Sequence, residues 1–455
     1  MKKLIAGVAL VGTAFSAQAA DLSVKAPYTK APAMTAVYDW TGFYLGVNAG
    51  IGLGRDRTQH FDTGNVNSTY LSPLGAIGGV QAGYNWQTNS FLGPIVFGIE
   101  ADIQGADMRD GYVSLNTIGT DTFNQRLDWF GTVRGRIGLV TGPTLSYVTA
   151  GYAYGDVKTS GVTSGVPFAF GGGRSGWTWG SGVEAALGGN WTGKIEYLYV
   201  DLGDPGLVYG GGAQAIRTEL REQIFRVGLN YRIGGNSTYM PTVAANWTGL
   251  YLGGNFGSGT ARNRSSVYDV TNNDTSTFNL AADGINGGVQ AGYNWQTGNT
   301  VFGIETDIQG ASLEDNKTCF GCGPAGLTVN SKLPWFGTVR GRLGYAVGPS
   351  LFYATGGFAY GGVKTTFETP VGSIGLSETR TGWTVGAGIE TPFTLLGLFG
   401  PNWTSKTEYL YVDLGRSTTA FDPGGAPIVY STRVQEHIFR TGLNYHFNAP
   451  VVAKY

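Results

Sequence analysis

Beyond its first nineteen residues the chain has no apolar run of eighteen, so membrane-crossing helices are excluded while membrane-crossing strands stay open. Charge is scarce: Asp, Glu, Lys and Arg make up 13%, about half the proportion of an ordinary soluble domain. Neither sign dominates, since without Met1 to Ala19 there are 28 basic residues against 31 acidic ones, and no electrostatic footprint for nucleic acid remains. Cys319 and Cys322 are the only cysteines, too few for a four-ligand zinc site. The three histidines, His60, His437 and His446, are not spaced as a catalytic cluster. No glycine-rich stretch ends in the GK[ST] of a phosphate loop. These absences point away from an enzyme and from any metal or organic cofactor.

Glycine and aromatics are abundant, with 76 Gly, 25 Tyr, 23 Phe and 11 Trp. Glycine shows no G-X-Y period, so the composition fits neither collagen nor a disordered tail. The start, MKKLIAGVALVGTAFSAQA, sets Lys2 and Lys3 before an apolar run and ends in Ala17-Gln18-Ala19. That order predicts a secretory signal peptide over 1–19 and export.

Self-similarity is the strongest signal. WTGFYLG at Trp40 returns as WTGLYLG at Trp247, GGVQAGYNWQT at Gly78 returns unchanged at Gly287, and FGIE at Phe97 returns at Phe302. WFGTVRGR at Trp129 returns at Trp335, EYLYVDLG at Glu196 at Glu408, and IFRVGLNY at Ile224 as IFRTGLNY at Ile438. The offset between copies starts at 207 residues and ends at 214, with few small insertions, which marks duplication of a whole unit.

Each unit holds eight strand candidates, at 40–51, 78–88, 95–106, 128–140, 144–156, 175–187, 191–202 and 219–233. The second set is 247–257, 287–297, 301–311, 334–346, 350–362, 381–392, 403–414 and 433–447. Short connections alternate with long polar ones at 52–77, 107–127, 157–174 and 203–218. An even strand count, with short turns at one end and long loops at the other, is the pattern of an outer-membrane β-barrel. The divisions that follow are a periplasmic segment at 20–39, units at 40–233 and 247–447, a periplasmic linker at 234–246 and an extension at 448–455.

Side chains alternate with period two in these strands. Phe97, Ile99, Ala101 and Ile103 share one face, and Glu100, Asp102 and Gln104 the other. A charge facing hydrocarbon costs about 2–4 kcal/mol at midplane, so the polar face is expected inside and the apolar face against lipid. Trp40, Trp86 and Trp191 are expected in one interfacial belt, and Trp129, Trp177 and Trp179 in the other. The inward set of unit one is Glu100, Asp102, Glu184 and Glu196 with Arg134, Arg136, Lys194 and Arg226. Unit two repeats it as Glu305, Asp307, Glu390 and Glu408 with Arg340, Arg342, Lys406 and Arg440. Four acids and four bases in a narrow interior form a hydrogen-bonded plug. Two tandem eight-stranded transmembrane antiparallel barrels and one sixteen-stranded barrel both satisfy backbone pairing. A complete charge set in each copy favours two.

The closing segments RVGLNYRI and RTGLNYHF look like a last-strand assembly signal. With WTGFYLG, GGVQAGYNWQ, FGIE, WFGTVRGR and EYLYVDLG, they resemble the small immunogenic outer-membrane proteins of rhizobia and brucellae, the RopB-like porin family. The resemblance covers nearly the whole chain after the signal segment, twice. It implies outer-membrane location in an alphaproteobacterium, a role in envelope integrity, and exposed antigenic loops. Expected partners are outer-membrane lipids, lipopolysaccharide and the outer-membrane assembly machinery, with the loops as candidates for host or phage surface ligands. A passive diffusion channel for small hydrophilic solutes is the alternative function. In the oxidising exterior Cys319 and Cys322 are candidates for a disulfide.

Overall fold

The computed structural model describes residues 38–62, 65–116, 119–163, 165–209, 214–234, 245–271, 273–319, 327–369, 372–394, 399–422 and 427–448. Outside them fall the expected signal peptide, nearly all of 20–39, most of the linker, residues 449–455 and Cys322, and with Cys322 the expected disulfide.

The first copy contains β1 (Gly42–Gly54), β2 (Asp56–Asp62), β3 (Asn65–Leu71), β4 (Leu74–Ser90), β5 (Gly93–Asn116), β6 (Gly119–Thr141), β7 (Thr144–Thr163), β8 (Val166–Gly188), β9 (Trp191–Asp201), β10 (Gly206–Tyr209), β11 (Gln214–Glu219) and β12 (Arg221–Ile233). The second contains β13 (Gly249–Ala261), β14 (Asn263–Asp269), β15 (Asp274–Leu280), β16 (Asp283–Thr297), β17 (Thr300–Cys319), β18 (Leu327–Val347), β19 (Ser350–Thr369), β20 (Gly372–Pro392), β21 (Trp403–Phe421) and β22 (Ile428–His446).

The expected pair of plain eight-stranded barrels is corrected, and so is the sixteen-stranded alternative. In the first copy β1-β12-β9-β8-β7-β6-β5-β4 form a closed barrel, and β10-β11-β2-β3 form a separate four-stranded sheet. The second copy is a single ten-stranded sheet, in which β14 and β15 are attached to β22 and β13 pairs with both β16 and β22. Two breaks set the first copy apart, one at Leu220 between β11 and β12 and one at a proline. In the first copy Asp204-Pro205 separates β9 from β10, and Pro205 has no N–H for the ladder. The aligned residues of the second copy, Arg416-Ser417, let β21 continue, so its outer hairpin stays in the main sheet.

Much of what reads as long polar loop is also strand. The hairpins β5–β6 and β7–β8 run out to residues 116 and 163. An irregularity between Leu127 and Trp129 breaks the period of two. Beyond it Leu127, Gln125 and Phe123 are the buried side chains, whereas below it Phe130, Thr132 and Arg134 are. The second copy shifts register at Lys332/Trp335, where Pro334 sits. One extra residue at a bulge changes which side chains face in.

Phe97, Ile99, Ile103, Trp86, Trp129, Trp177, Trp179 and Trp191 are exposed on the outside of the first copy, and Trp295 and Trp383 on the second. Trp40 and Trp247, by contrast, are fully buried inside and belong to no outer belt. Ile195, Tyr197 and Phe225 lie on the apolar face of their strands, yet they are covered by the second copy rather than by lipid. The contacts between copies are reciprocal. Tyr197 stacks on Phe439 at 5.4 Å and the aligned Tyr409 packs on Phe225 at 5.1 Å. Arg55 pairs with Asp315 at 3.4 Å, as the aligned Arg262 pairs with Asp110 at 2.6 Å. Thr144 and its counterpart Ser350 are 3.3 Å apart. Exchanged equivalent contacts are the signature of an isologous, two-fold interface.

Candidate functional site

Each copy encloses a layer of charge, and the sixteen residues singled out from the sequence all lie within it, none more than 5% exposed. They come from alternate positions on β5, β6, β8, β9 and β12 and on their counterparts, because side chains of one parity face in. In the first copy Arg134 is the hub. It donates to Glu100, to Asp102 at 2.8 Å and to Glu196 at 3.1 Å. Arg226 bridges Asp102 at 2.8 Å and Glu196 at 2.6 Å. Lys194 donates to Glu100 at 2.9 Å, and Arg136 to Glu184 at 3.0 Å.

The second copy repeats these partners. Arg340 reaches Glu305, Asp307 at 3.1 Å and Glu408 at 3.2 Å. Arg440 bridges Asp307 at 2.9 Å and Glu408 at 2.8 Å. Lys406 donates to Glu305 at 2.8 Å, and Arg342 to Glu390. Where the first copy has Arg232, the second has His446, whose Nε2 lies 3.0 Å from Glu390. Buried charges persist only when paired and hydrogen-bonded, and here every acid meets at least one base.

Sequence reading missed the tyrosines. Tyr44 donates to Glu100 at 2.8 Å and Tyr147 to Glu196 at 2.8 Å; Tyr251 and Tyr353 do the same for Glu305 and Glu408 at 2.6 and 2.9 Å. Each is paired across strands with a glycine: Tyr44 with Gly83, Tyr147 with Gly182, Tyr251 with Gly292 and Tyr353 with Gly388. A Cβ on Gly83 or Gly182 would collide with the ring or hydroxyl, so these glycines make room for the tyrosine to lie along the wall. The available signal was parity, since Tyr44 falls in register opposite to Phe43 and Leu45.

Apolar layers lie on both sides of the charge. Toward the short turns Tyr38, Trp40, Val96 and Leu145 pack together, with the backbone N–H of Trp40 donating to Gln87 Oε1 at 2.8 Å. Toward the long loops Met108, Leu127, Phe130, Leu198 and Ile224 form another layer. The second copy has Trp247, Val301, Leu351 and Tyr353 on one side and Leu313, Phe336, Leu410 and Ile438 on the other. Among the described residues no group of three or more potential metal ligands occurs.

Apolar residues outside and charge inside define a β-structured membrane protein, the inverse of a soluble barrel. The chain belongs to the outer membrane protein beta-barrel domain family, matched over residues 7–232 and again over 235–447. It is 40% identical over 220 residues to the 31 kDa outer-membrane immunogenic protein of Brucella melitensis biotype 1, covering 46% of this chain and 88% of that protein. It is 36% identical to the 22 kDa outer membrane protein of Rhizobium leguminosarum bv. viciae, covering 45% of this chain and 80% of that one. The 25 kDa outer-membrane immunogenic protein of Brucella melitensis biotype 1 is 32% identical, covering 50% and 96%. These relatives correspond in length to one copy. The protein is therefore an outer-membrane protein of an alphaproteobacterial surface-antigen family, in tandem duplication.

Proposed function

We propose that this protein is a structural, non-enzymatic component of the outer membrane that supports envelope integrity and presents its long hairpins for surface contact, while neither interior conducts solutes. The observation that carries this reading is the sequence of layers inside each copy: apolar, charged, apolar. A hydrated ion would have to part Arg134 from Glu100, Asp102 and Glu196, and breaking a buried pair costs about 3–5 kcal/mol. In this reading the sixteen charged residues serve packing. The long-loop end faces outward, with outer-membrane lipids and lipopolysaccharide around the strands and with its loops open to host or phage surfaces. Met1 to Ala19 is removed on export, residues 20–39 and 234–246 lie in the periplasm, and Cys319 and Cys322 close a disulfide.

Planar-bilayer recording of the purified full-length protein tests it. Bilayers should show no stable conductance steps above those of the lipid alone. Large, long-lived steps would instead support the diffusion channel.

A further inference from the structure

The outer face of the second copy carries a row of arginines. Arg264 of β14 lies directly opposite Arg433 of β22, and Arg433 directly opposite Arg416 of β21. Residues in register project from the same face, and adjacent strands are about 4.8 Å apart, so three guanidinium groups crowd where like charges destabilise a sheet. Asp413 takes up Arg433. Among the described residues no carboxylate pairs with Arg264 or Arg416, both exposed. The next rung outward on the same face is Ser266, Ser431 and Thr418. Arg264, Arg416, Ser266 and Ser431 line a cleft of about 360 Å³, which Asp110 and Gly111 of the first copy also line. Asp110 is already engaged by Arg262 at 2.6 Å and by Asn279 at 2.8 Å.

The first copy supplies the contrast. Its aligned residues are Arg57, Glu219 and Asp204, with Glu219 directly opposite Arg57. It also has a cation row of its own, Arg109, Arg126 and Lys158 in register across β5, β6 and β7. There each base has an aspartate two residues away in its own strand or across from it: Arg109 pairs with Asp107, Arg126 with Asp128, and Lys158 with Asp128 and Asp156. The height of the second-copy row is set by Trp383 of the aromatic belt, which pairs with Asp413, three residues before Arg416. That places the arginines at the level of lipid headgroups.

We propose that this cleft binds a phosphate group, held by Arg264 and Arg416, with Ser266 and Ser431 as hydroxyl donors. The planar guanidinium fork matches phosphate oxygens in pairs, and the bound anion supplies the countercharge that the row lacks. The phosphate comes either from an outer-leaflet glycolipid headgroup or from free inorganic phosphate. The site goes beyond the structural role and holds whether or not the interior conducts.

The test uses the full chain folded in micelles free of lipopolysaccharide, with heat-modifiable gel mobility verifying the fold of every variant. One arm titrates inorganic phosphate against chloride at constant ionic strength. The other measures retention of bisphosphorylated against dephosphorylated lipid A in phosphatidylcholine nanodiscs. Binding in either arm, weakened about tenfold or more in Arg264→Gln/Arg416→Gln, supports the site, and the arm that binds names the source. The Arg109→Gln/Arg126→Gln control should stay within about twofold. No binding in both arms, an unchanged arginine variant, or an equal loss in the control would overturn it.

Discussion

In the first copy β9 stops at Asp201 and the chain resumes at Gly206 beyond Asp204-Pro205, whereas in the second β21 runs unbroken from Trp403 to Phe421. At the same rungs, Asp204 and Glu219 of the first copy become Arg416 and Arg433 in the second. Inside, Arg232 becomes His446, but the eight charged residues of the layer keep their ion-pair partners, and two tyrosines their carboxylates, in both copies. The contrast shows where the fold is constrained. A buried ion leaves its neighbours uncompensated if it alone changes, but an exposed residue on the outer hairpins meets water and can reverse its charge at little cost.

The most severe test of this equivalence is at the two hubs. Arg134→Met and Arg340→Met should each lower the unfolding free energy by about 3–5 kcal/mol, measured by urea titration in lipid vesicles. A loss below about 1 kcal/mol in either copy would show that the two interiors are not equivalent.

The reciprocal interface gives the next test. With a protease site placed within 235–244 and cut after folding, the halves should remain associated on a sizing column. Phe439→Arg should release them, because burying an unpaired charge costs several kcal/mol. Tyr197→Arg should do the same, since Tyr197 stacks on Phe439. Halves that part without either substitution would show that the linker alone holds them together.

A smaller difference is confined to the second copy. Lys317, where the first copy has Tyr112, lies on β17 well outside the aromatic belt, and burial pushes its pKa down to about 8, against a weaker upward pull from Asp315 and Asp110. The unfolded chain then holds more protons between about 8 and the ordinary lysine value of 10.5. Stability should therefore rise with pH through that window, by at most about 1.4 kcal/mol per unit. Lys317→Met should flatten the rise in a pH series of denaturation midpoints, and a slope unchanged by the substitution would refute the assignment.

The mildest test makes the second copy resemble the first. Ser417→Pro, at the position of Pro205, should interrupt β21, costing about 1 kcal/mol for a lost ladder bond. Amide exchange should accelerate over Ile428–Arg433 and remain as before at Ile438–Asn444. Uniform acceleration, or none, would mean that proline does not separate the two architectures.

Local pattern carried much of this protein. Duplication is visible as repeated words, and the period of two placed Glu100, Asp102, Arg134 and Glu196 on one face because side-chain direction in a strand depends only on parity. Parity fails wherever a bulge adds a residue, which is why the outer reaches of β5 to β8 read as loops and why Leu127 and Phe123 were not recognised as inward-facing. Trp40 reads as a belt residue because an amphipathic ring suits either an interface or a plug, and only the surrounding strands place it, like Trp247, inside. Tyr197 and Phe225 carry the same alternation as lipid-facing residues, yet they lie against Phe439 and Tyr409 from more than 180 positions away. Sequence could determine which face of a strand is apolar, because that is a local property. What covers the face is decided by docking of distant surfaces, and that choice exists only in the folded chain.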